Sequence, residues 1–300
     1  MKKILVVLMA SLVLVACGGG AGSSAKLEMG TASTQMVNVK DDVATFETVI
    51  VGVTLRDGKV DYIQIDESQQ KASIDGEKVA METIKTKKEL GTDYNMANFA
   101  EKGEWDVQVK AIEADLVGKT KDEVAAYFAG DDVKSSATII VDHFAATVAK
   151  AIDNAVEVKG AAKVGFGYVV STSIGKTEDA PQSVVDYAMI AVDADGKIIV
   201  ALTDNAQEKA KLTDGALVAT NIGKSKGELK EGYAMKDASP IGKEWNEQND
   251  AFMAAVVGKT VAEVSAFKAG EGDIATSVTI IIDSVQAAIV NAEKALVDVK

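Results

Sequence analysis

Apolar and polar positions alternate along two stretches of the chain, and each stretch is interrupted by an Asp-Gly turn. FETVIVGVTL (46–55), the turn RDGK and KVDYIQID (59–66) are rich in β-branched and aromatic residues. VDYAMIAVD (185–193), ADGK and KIIVALTD (197–204) repeat that arrangement. Runs of this kind around Asp-Gly are typical of β-hairpins. The sequence therefore predicts two antiparallel hairpins far apart in the chain.

A helical period of apolar residues follows the hairpins. In the first half one apolar face ends at Gly118, and Thr120 with Glu123 has the spacing of a capping box that begins a short helix ending near Gly130. Another amphipathic helix is predicted near the end of each half. The residues of the three apolar faces are Trp105, Val109, Ile112 and Leu116; Val141, Phe144, Val148 and Ile152; and Ile282, Val285, Ile289, Ala292 and Leu296. Hairpins followed by helices predict an α+β fold.

The second half of the chain repeats the first. Three blocks of identical residues recur at separations of 139, 140 and 141 positions, so only short insertions distinguish the copies. The blocks begin at Lys87 and Lys226, at Glu104 and Glu244, and at Asp132 and Asp273. A repeat of this density indicates two tandem domains. We expect them at 26–160 and 161–300, each an antiparallel sheet packed with helices around its own core.

Each copy also contains a hydroxyl-rich segment, DVKSSAT (132–138) or DIATSVT (273–279). Both follow the plan Asp-x-x-[Ser/Thr]-Ser-x-Thr and precede a predicted helix, which places Thr138 and Thr279 near a helix N-terminus. Free backbone N–H groups and the helix dipole make such a position favourable for a phosphate. Helix capping by Ser135, Thr138, Thr276 and Thr279 is the simpler interpretation, but it does not explain the repeated Asp.

The chain begins with MKKILVVLMASLVLVAC, in which Lys2 and Lys3 precede a short apolar run. This pattern is typical of a signal peptide. Its last four residues, LVAC (14–17), resemble a bacterial lipobox, which implies removal of residues 1–16 and attachment of acyl chains to Cys17. Residues 17–25 are then a flexible, glycine-rich tether. An uncleaved anchor with a buried cysteine is the alternative.

Composition excludes several kinds of redox centre and partner. Cys17 is the only cysteine and His143 the only histidine, which excludes disulfides, iron–sulfur clusters, CxxCH haem attachment and histidine-rich metal sites. The formal charge is −13, and loss of Lys2 and Lys3 would make it −15. Such acidity argues against nucleic acid as a partner. We expect no resident metal.

The repeated hydroxyl-rich segments and the lipobox resemble those of the Gram-positive flavin-carrying lipoproteins with tandem FMN-binding domains. Their acceptor motif is Asp-x-x-[Ser/Thr]-x-Ala-Thr, in which the residue before the Ala is usually Gly. That residue is Ser136 in the first copy and Ser277 in the second, and Val278 replaces the Ala in the second copy. KKELGTDYNM, GEWDVQ and VGKTKDEV carry the likeness through most of the chain. The resemblance implies two FMN groups, each joined by a flavin transferase through a phosphoester to Thr138 or Thr279.

The resemblance also implies roles for neighbouring residues. Ser135 and Thr276 match the recognition position of the motif, and Asp132 and Asp273 match its recognition or metal-assisting position during attachment; a structural turn is the alternative for the aspartates. A flavin ring requires apolar or aromatic walls. The repeated candidates for these walls are Tyr94, Met96, Trp105, Tyr233, Met235 and Trp245. Ordinary core packing is an equally weighted interpretation of these six.

By the same resemblance the protein is an electron carrier rather than an enzyme with its own substrate. It would be lipid-anchored at the outer face of the cell membrane, take electrons from a membrane quinol-linked system, and pass them to extracellular acceptors such as ferric iron. The alternative is a non-redox binding or adhesion lipoprotein. In either case the signal peptide is also a candidate precursor of a signalling peptide.

Overall fold

The computed structural model describes residues 25–76, 78–175, 177, 179–220 and 223–299. The predicted signal peptide and the lipobox with Cys17 lie outside the described residues. The fold is α+β, with two antiparallel five-stranded sheets packed with helices. None of the helices among the described residues is long and apolar enough to span a membrane.

The first sheet and its helices come from the first half of the chain. Its strands are β1 (Leu27–Lys40), β2 (Val43–Arg56), β3 (Lys59–Asp75), β4 (Lys78–Glu82) and β5 (Val156–Val158). Its helices are α1 (Lys87–Leu90), α2 (Trp105–Leu116), α3 (Lys121–Ala129), α4 (Asp132–Ser136) and α5 (Asp142–Asp153). A 3₁₀ turn, Gly91–Tyr94, follows α1.

The second half repeats this element order. Its strands are β6 (Lys163–Ile174), β7 (Pro181–Val192), β8 (Ile198–Thr213), β9 (Ala216–Ala219) and β10 (Val297–Asp298). Its helices are α6 (Lys226–Leu229), α7 (Trp245–Val256), α8 (Val261–Val264) and α9 (Asp283–Lys294). Its 3₁₀ turns are Lys230–Tyr233, Lys236–Ala238 and Gly272–Ile274.

The two sheets have the same topology. The first has the order β4-β3-β2-β1-β5 and the second has the order β9-β8-β7-β6-β10. In each, a meander is completed by a short final strand that returns beside the first strand. Equivalent residues can therefore be assigned from the register: Asp66 lies opposite Ile50 in β3 and β2, as Asp204 lies opposite Tyr187 in β8 and β7.

Each sheet buries one face against its own helices. β2 contributes Val49, Val51, Val53 and Leu55 to a core with α2, α3 and α5, and the second copy has an equivalent core. The long last helix approaches the first strand closely in both copies. A Cβ added at Gly30 would lie 2.1 Å from the carbonyl oxygen of Ala151, and one at Gly165 would lie 2.1 Å from that of Ala292. Glycine is required at these positions because a side chain would displace the helix.

The opposite faces of the two sheets pack against each other. A third apolar cluster, here called the shared core, contains Met29 and Ile50 from the first copy and Phe166, Tyr187 and Met189 from the second. Polar contacts cross the same interface: Tyr168 donates a hydrogen bond to Asp66, and Tyr187 donates one of 3.2 Å to Ser33. The layers are therefore helices, sheet, sheet and helices. Each copy also has its own core, as the sequence predicts, and we expect each copy to fold around that core independently.

The local predictions are confirmed, and the longer strands extend beyond them. Both hairpins form, and Thr120 and Glu123 form the expected capping box at the start of α3. The first strand of each copy was not predicted. β1 carries Thr31, Ser33 and Gln35 at buried positions, so its sequence lacks the apolar alternation that marks a strand.

Candidate functional site

Each copy has an open cavity. In the first copy it lies between the start of α2, the 3₁₀ turn Gly91–Tyr94 and the segment before α5. In the second it lies between the start of α7, the 3₁₀ turn Lys230–Tyr233 and the segment before α9. The cavity of the first copy has a volume of about 420 Å³ and that of the second about 320 Å³. Both volumes lie in the range of small-molecule sites. The first is lined by Tyr94, Met96, Trp105, Thr138, Ile139 and Ile140, and the second by their equivalents Tyr233, Met235, Trp245, Thr279, Ile280 and Ile281.

The structure therefore brings eight of the sequence-predicted site residues together, four in each copy. The six residues predicted as cavity walls differ in how deeply they are buried. Trp105 and Trp245 are buried, and Trp105 belongs to the core of its copy, whereas the tyrosines and methionines are half-buried. Both tryptophans are buried and also line their cavities, and their role as walls for a flavin stays a prediction.

A fully buried glutamine fixes each motif threonine at the rim. The Oε1 atom of Gln108 accepts the Thr138 backbone N–H at 2.8 Å and its hydroxyl at 3.3 Å. Gln248 does the same for Thr279, at 2.8 Å and 3.1 Å. The side-chain nitrogen of each glutamine donates to backbone oxygen at the start of the same helix, at Gly103 or Lys243. Thr138 is nevertheless exposed, and Thr279 is half-buried.

The loop that carries the tyrosine and methionine is held by a glutamate at the N-cap of the helix. Glu104 accepts the Met96 backbone N–H at 2.8 Å, and Glu244 accepts that of Met235 at 2.9 Å. Because a carboxylate that accepts backbone N–H bonds replaces water at those groups, the loop keeps a defined conformation. The walls of the two cavities are consequently built in the same way.

A lysine lies beneath the aromatic walls of each cavity. Lys87 Nζ is 5.5 Å from the ring centre of Tyr94 and 5.7 Å from that of Trp105. Lys226 Nζ is 5.2 Å from Tyr233 and 5.7 Å from Trp245. These distances are within the range of cation–π attraction. Each cavity thus combines aromatic surface with a positive charge.

The helical turn that carries each lysine is anchored by a buried aspartate of the sheet. Asp66 accepts the Thr86 hydroxyl at 2.7 Å, and Asp204 accepts the Ser225 hydroxyl at 2.5 Å. Burial raises the pKa of both aspartates, and the hydrogen bonds from hydroxyl and backbone groups oppose that rise. The lysine positions are therefore set by the sheet rather than by a mobile loop.

Large apolar side chains stand exposed beside both threonines. Ile140 is 75% exposed and Ile281 is 83% exposed, and both line their cavities. An isolated exposed isoleucine is ordinary on a protein surface. The same exposed isoleucine two residues after the motif threonine in both copies gives each cavity an apolar rim.

The other motif residues lie away from the cavity walls. Ser135 donates to the Asp132 backbone oxygen at 2.6 Å, and Asp273 is 3.4 Å from Lys259. Asp132, Ser135 and Thr276 are exposed. The hydroxyl-rich segment is itself partly helical, as α4 in the first copy and a 3₁₀ turn in the second. The hydroxyls do not cap the following helices, whose N-caps are Val141 and Ile282.

Several residues at the site were not predicted as functional from the sequence. Gln108 and Gln248, like Lys87 and Lys226, were available as identical positions in the two copies, a signal that sequence reasoning used only to find the repeat. Glu67 and His143 gave no such signal, because the second copy has Asn205 and Ser284 in their places. Their proximity depends on the packing of α1 against β3 and of α5 against β1 and β2.

Comparison of the chain with protein-family models, curated proteins and solved structures finds no match. The candidate site therefore rests on its own geometry. Within the described part of the chain, no group of three or more histidine, cysteine, aspartate and glutamate side chains is arranged to hold a metal ion.

The residues present fit a covalently attached flavin mononucleotide. Thr138 is an exposed residue at the rim, and the Gln108 bond to its backbone N–H would remain after the hydroxyl proton is lost. Tyr94, Met96, Trp105 and Ile140 provide the apolar surface that a planar ring requires. The second copy offers the equivalent groups, with a further cavity of about 180 Å³ beneath Trp245 and Ile281.

Proposed function

We propose that the protein is a lipid-anchored electron carrier with two FMN groups, one on Thr138 and one on Thr279. The observation that carries the proposal is the repeated cavity, with a motif threonine at its rim and an aromatic wall beside it. The resemblance of both motifs to flavin-acceptor sequences supports the same function.

Attachment is assigned to a separate flavin transferase. The threonine Oγ–phosphorus bond would form as a phosphoanhydride bond of an activated flavin nucleotide breaks, and the hydroxyl proton and the leaving nucleotide would go to solvent. This chain contributes an accessible hydroxyl, held by Gln108 or Gln248. Asp132 and Asp273, the exposed first residues of the two motifs, are proposed as contacts for the transferase during that step.

When bound, the flavin supplies one- and two-electron chemistry, and the protein supplies position and environment. The tyrosine, methionine and tryptophan of each cavity would pack against the ring, and the lysine would place a positive charge near it. A covalent bond prevents loss of the cofactor by dilution outside the cell. We propose a membrane quinol-linked system as the electron donor and ferric iron as an acceptor.

Intact mass of the protein purified from a host with the transferase tests the proposal. Two FMN additions are expected, one is expected in either Thr138→Ala or Thr279→Ala, and none in the double variant. Ser135→Ala and Thr276→Ala are the controls, because they match the recognition position and retain the acceptor threonine. A colourless native protein would favour the non-redox binding function, and FMN mapped to Ser135 or Thr276 would overturn the site assignment.

The same mass reports the anchor. Cleavage before Cys17 and addition of acyl chains are expected, and Cys17→Ala is expected to abolish the mature membrane-associated form. A Cys17→Ala protein that still fractionates with the membrane as a processed lipoprotein would contradict the anchor.

A further inference from the structure

The lysines beneath the two cavities occupy equivalent positions but have different surroundings. Lys87 is 2.7 Å from the carboxylate of Glu67, and both side chains are largely buried. Nε2 of His143 lies 3.5 Å from the other oxygen of that carboxylate. In the first copy the ammonium charge is therefore neutralised by a direct ion pair.

The second copy lacks that pair. Asn205 occupies the position of Glu67, and among the residues that the structure describes no carboxylate lies within 4.0 Å of Lys226 Nζ. Asp186, on the neighbouring strand, lines the adjoining cavity with Lys226, but its Oδ1 accepts the side-chain N–H of Asn205 at 2.6 Å. The charge of Lys226 is balanced only at longer range.

A second difference acts in the same direction. Glu47 lines the first cavity, where it accepts the Gln69 side-chain N–H at 2.6 Å. By the strand register its equivalent is Val184, which lines the further cavity of about 180 Å³ in the second copy. The second copy therefore has no carboxylate at the position where Glu47 lines the first cavity.

The titration of the lysines agrees with this geometry. Burial would lower the pKa of Lys87, but Glu67 holds it above its ordinary value. Burial lowers the pKa of Lys226, and Asp186 and Asp204 only partly oppose that effect. A buried cation without a close anion is a stronger source of positive potential at the adjacent cavity than a paired one.

We propose that Lys226 gives the flavin on Thr279 a higher reduction potential than Lys87 gives the flavin on Thr138, so that electrons pass from the first site to the second. The proposal rests on the proposed function. Reduction adds negative charge to a flavin ring, and a nearby positive charge favours it. With both flavins present, transfer of two electrons and two protons from a reduced flavin at the first site to an oxidised flavin at the second would be favourable. The quinol-linked donor would replace the electrons and protons, and two ferric ions would each accept one electron from the second site, with the protons released to solvent.

The test uses the full chain with one flavin at a time, titrated in a spectroelectrochemical cell and followed by flavin absorbance. Thr279→Ala retains the first site, and Thr138→Ala retains the second. At the same applied potential we expect the second site to show at least a tenfold larger ratio of reduced to oxidised flavin. For a two-electron couple this ratio corresponds to about 30 mV.

Charge variants then test the cause. Glu67→Gln is expected to raise the ratio at the first site about tenfold, and Lys226→Met to lower it about tenfold at the second. Asn205→Glu introduces the carboxylate that Glu67 provides in the first copy, and it should also lower the ratio at the second site. This variant tests the same cause if Lys226→Met does not fold. Lys110→Met is the control, because Lys110 is an exposed residue of α2 paired with Asp106.

Equal reduction potentials at the two sites, or a higher potential at the first, would overturn the inference. It would also be overturned if neither Lys226→Met nor Asn205→Glu changed the ratio of reduced to oxidised flavin at the second site. Intact mass measured before each titration separates this result from failure of the proposed function. A chain that carries no covalent flavin would overturn both, whereas a chain with two flavins of equal potential would overturn only the inference.

Discussion

The two copies hold the motif threonine with the same residues. They differ at the interface between the sheets and in the charged residue next to the buried lysine. Gln108 and Gln248 bind the threonines in the same way, and Glu104 and Glu244 hold the same loop. On the strands, by contrast, Glu67 corresponds to Asn205, and by the same register Gln70 corresponds to Glu208. The comparison separates what both sites require from what gives each copy its own properties.

The largest expected effect is at Glu208, a fully buried residue of β8 that reaches the first copy. It accepts the Thr48 hydroxyl at 2.7 Å and the Met36 backbone N–H at 2.9 Å. Burial raises the pKa of Glu208 from an ordinary 4.5 to about 8. Between these values the unfolded chain releases a proton that the folded chain retains, so the free energy of unfolding falls by up to about 1.4 kcal/mol per pH unit.

Glu208→Gln, which copies Gln70 of the first copy, removes this titration. Relative to the original protein, the variant should gain stability on the order of 5 kcal/mol between pH 4.5 and pH 8. Urea denaturation at a series of pH values measures the difference. The reverse change, Gln70→Glu, should make the pH dependence steeper, because a carboxylate would face the Ile84 carbonyl that Gln70 now donates to at 2.9 Å. Parallel pH profiles of Glu208→Gln and the original would contradict the assignment.

The next effect concerns the ion pair that only the first copy has. Glu67→Asn gives the first copy the side chain of Asn205 and leaves Lys87 as an unpaired buried cation. Loss of one partner of a buried pair costs about 3 kcal/mol. Denaturant unfolding at pH 7 measures that loss. Burial would raise the pKa of Glu67, but His143 and Lys87 hold it below its ordinary value, so the loss should diminish as the pH falls through that lowered pKa.

Asp106→Asn is the matched control for that pair, since Lys110 and Asp106 form an ion pair at the surface of α2. An exposed pair contributes less than about 1 kcal/mol. Equal losses for Glu67→Asn and Asp106→Asn would show that the buried pair does not stabilise the first copy.

A smaller effect is expected at the glutamines. Gln108→Leu retains the size of the side chain but removes its bonds to Thr138 and Gly103, at about 1 kcal/mol each. Gln248→Leu should cost more, because Gln248 also contacts Ser239 and the Ile280 backbone N–H. Denaturant unfolding ranks the two variants, and flavin per chain by mass should fall at the altered site only. A larger loss of stability for Gln108→Leu than for Gln248→Leu would contradict this prediction.

The smallest effect should be the same in both copies. Thr120 and Thr260 form equivalent capping boxes with Glu123 and Glu263. Substitution of either threonine by alanine should lower stability by about 1 kcal/mol, without a change in flavin content. Thermal unfolding of the two variants checks this equality. Unequal losses would show that α3 and the shorter α8 contribute differently to their cores.

The features that the sequence predicts well are those set by neighbours in the chain. The Asp-Gly hairpins and the Thr120 capping box depend on a few adjacent residues, and both form as expected. The repeat also predicted which tyrosine, methionine and tryptophan would accompany each threonine. β1 was missed because its polar residues are buried by the second sheet, a condition invisible in the local pattern.

The ion pairing of the buried lysines could not be predicted from the sequence, for a similar reason. The pairing of Glu67 with Lys87 joins two residues twenty positions apart through the register of β3 and the anchoring of α1 by Asp66. Only the structure shows that Asn205 occupies the equivalent position and that Asp186 lies on a different strand. Identity between copies marks common parts, but the differences acquire meaning only when their contacts are known.

The shared core has a consequence for how such a chain is related to a single copy of itself. Ile50 and Tyr187 are equivalent residues, and each is buried by the other half of the molecule. A single copy would expose that sheet face to water and would need a second copy to cover it. The tandem chain is therefore equivalent to a dimer whose subunits are joined near Lys159, and the covalent link maintains the effective concentration that separate subunits would lose by dilution.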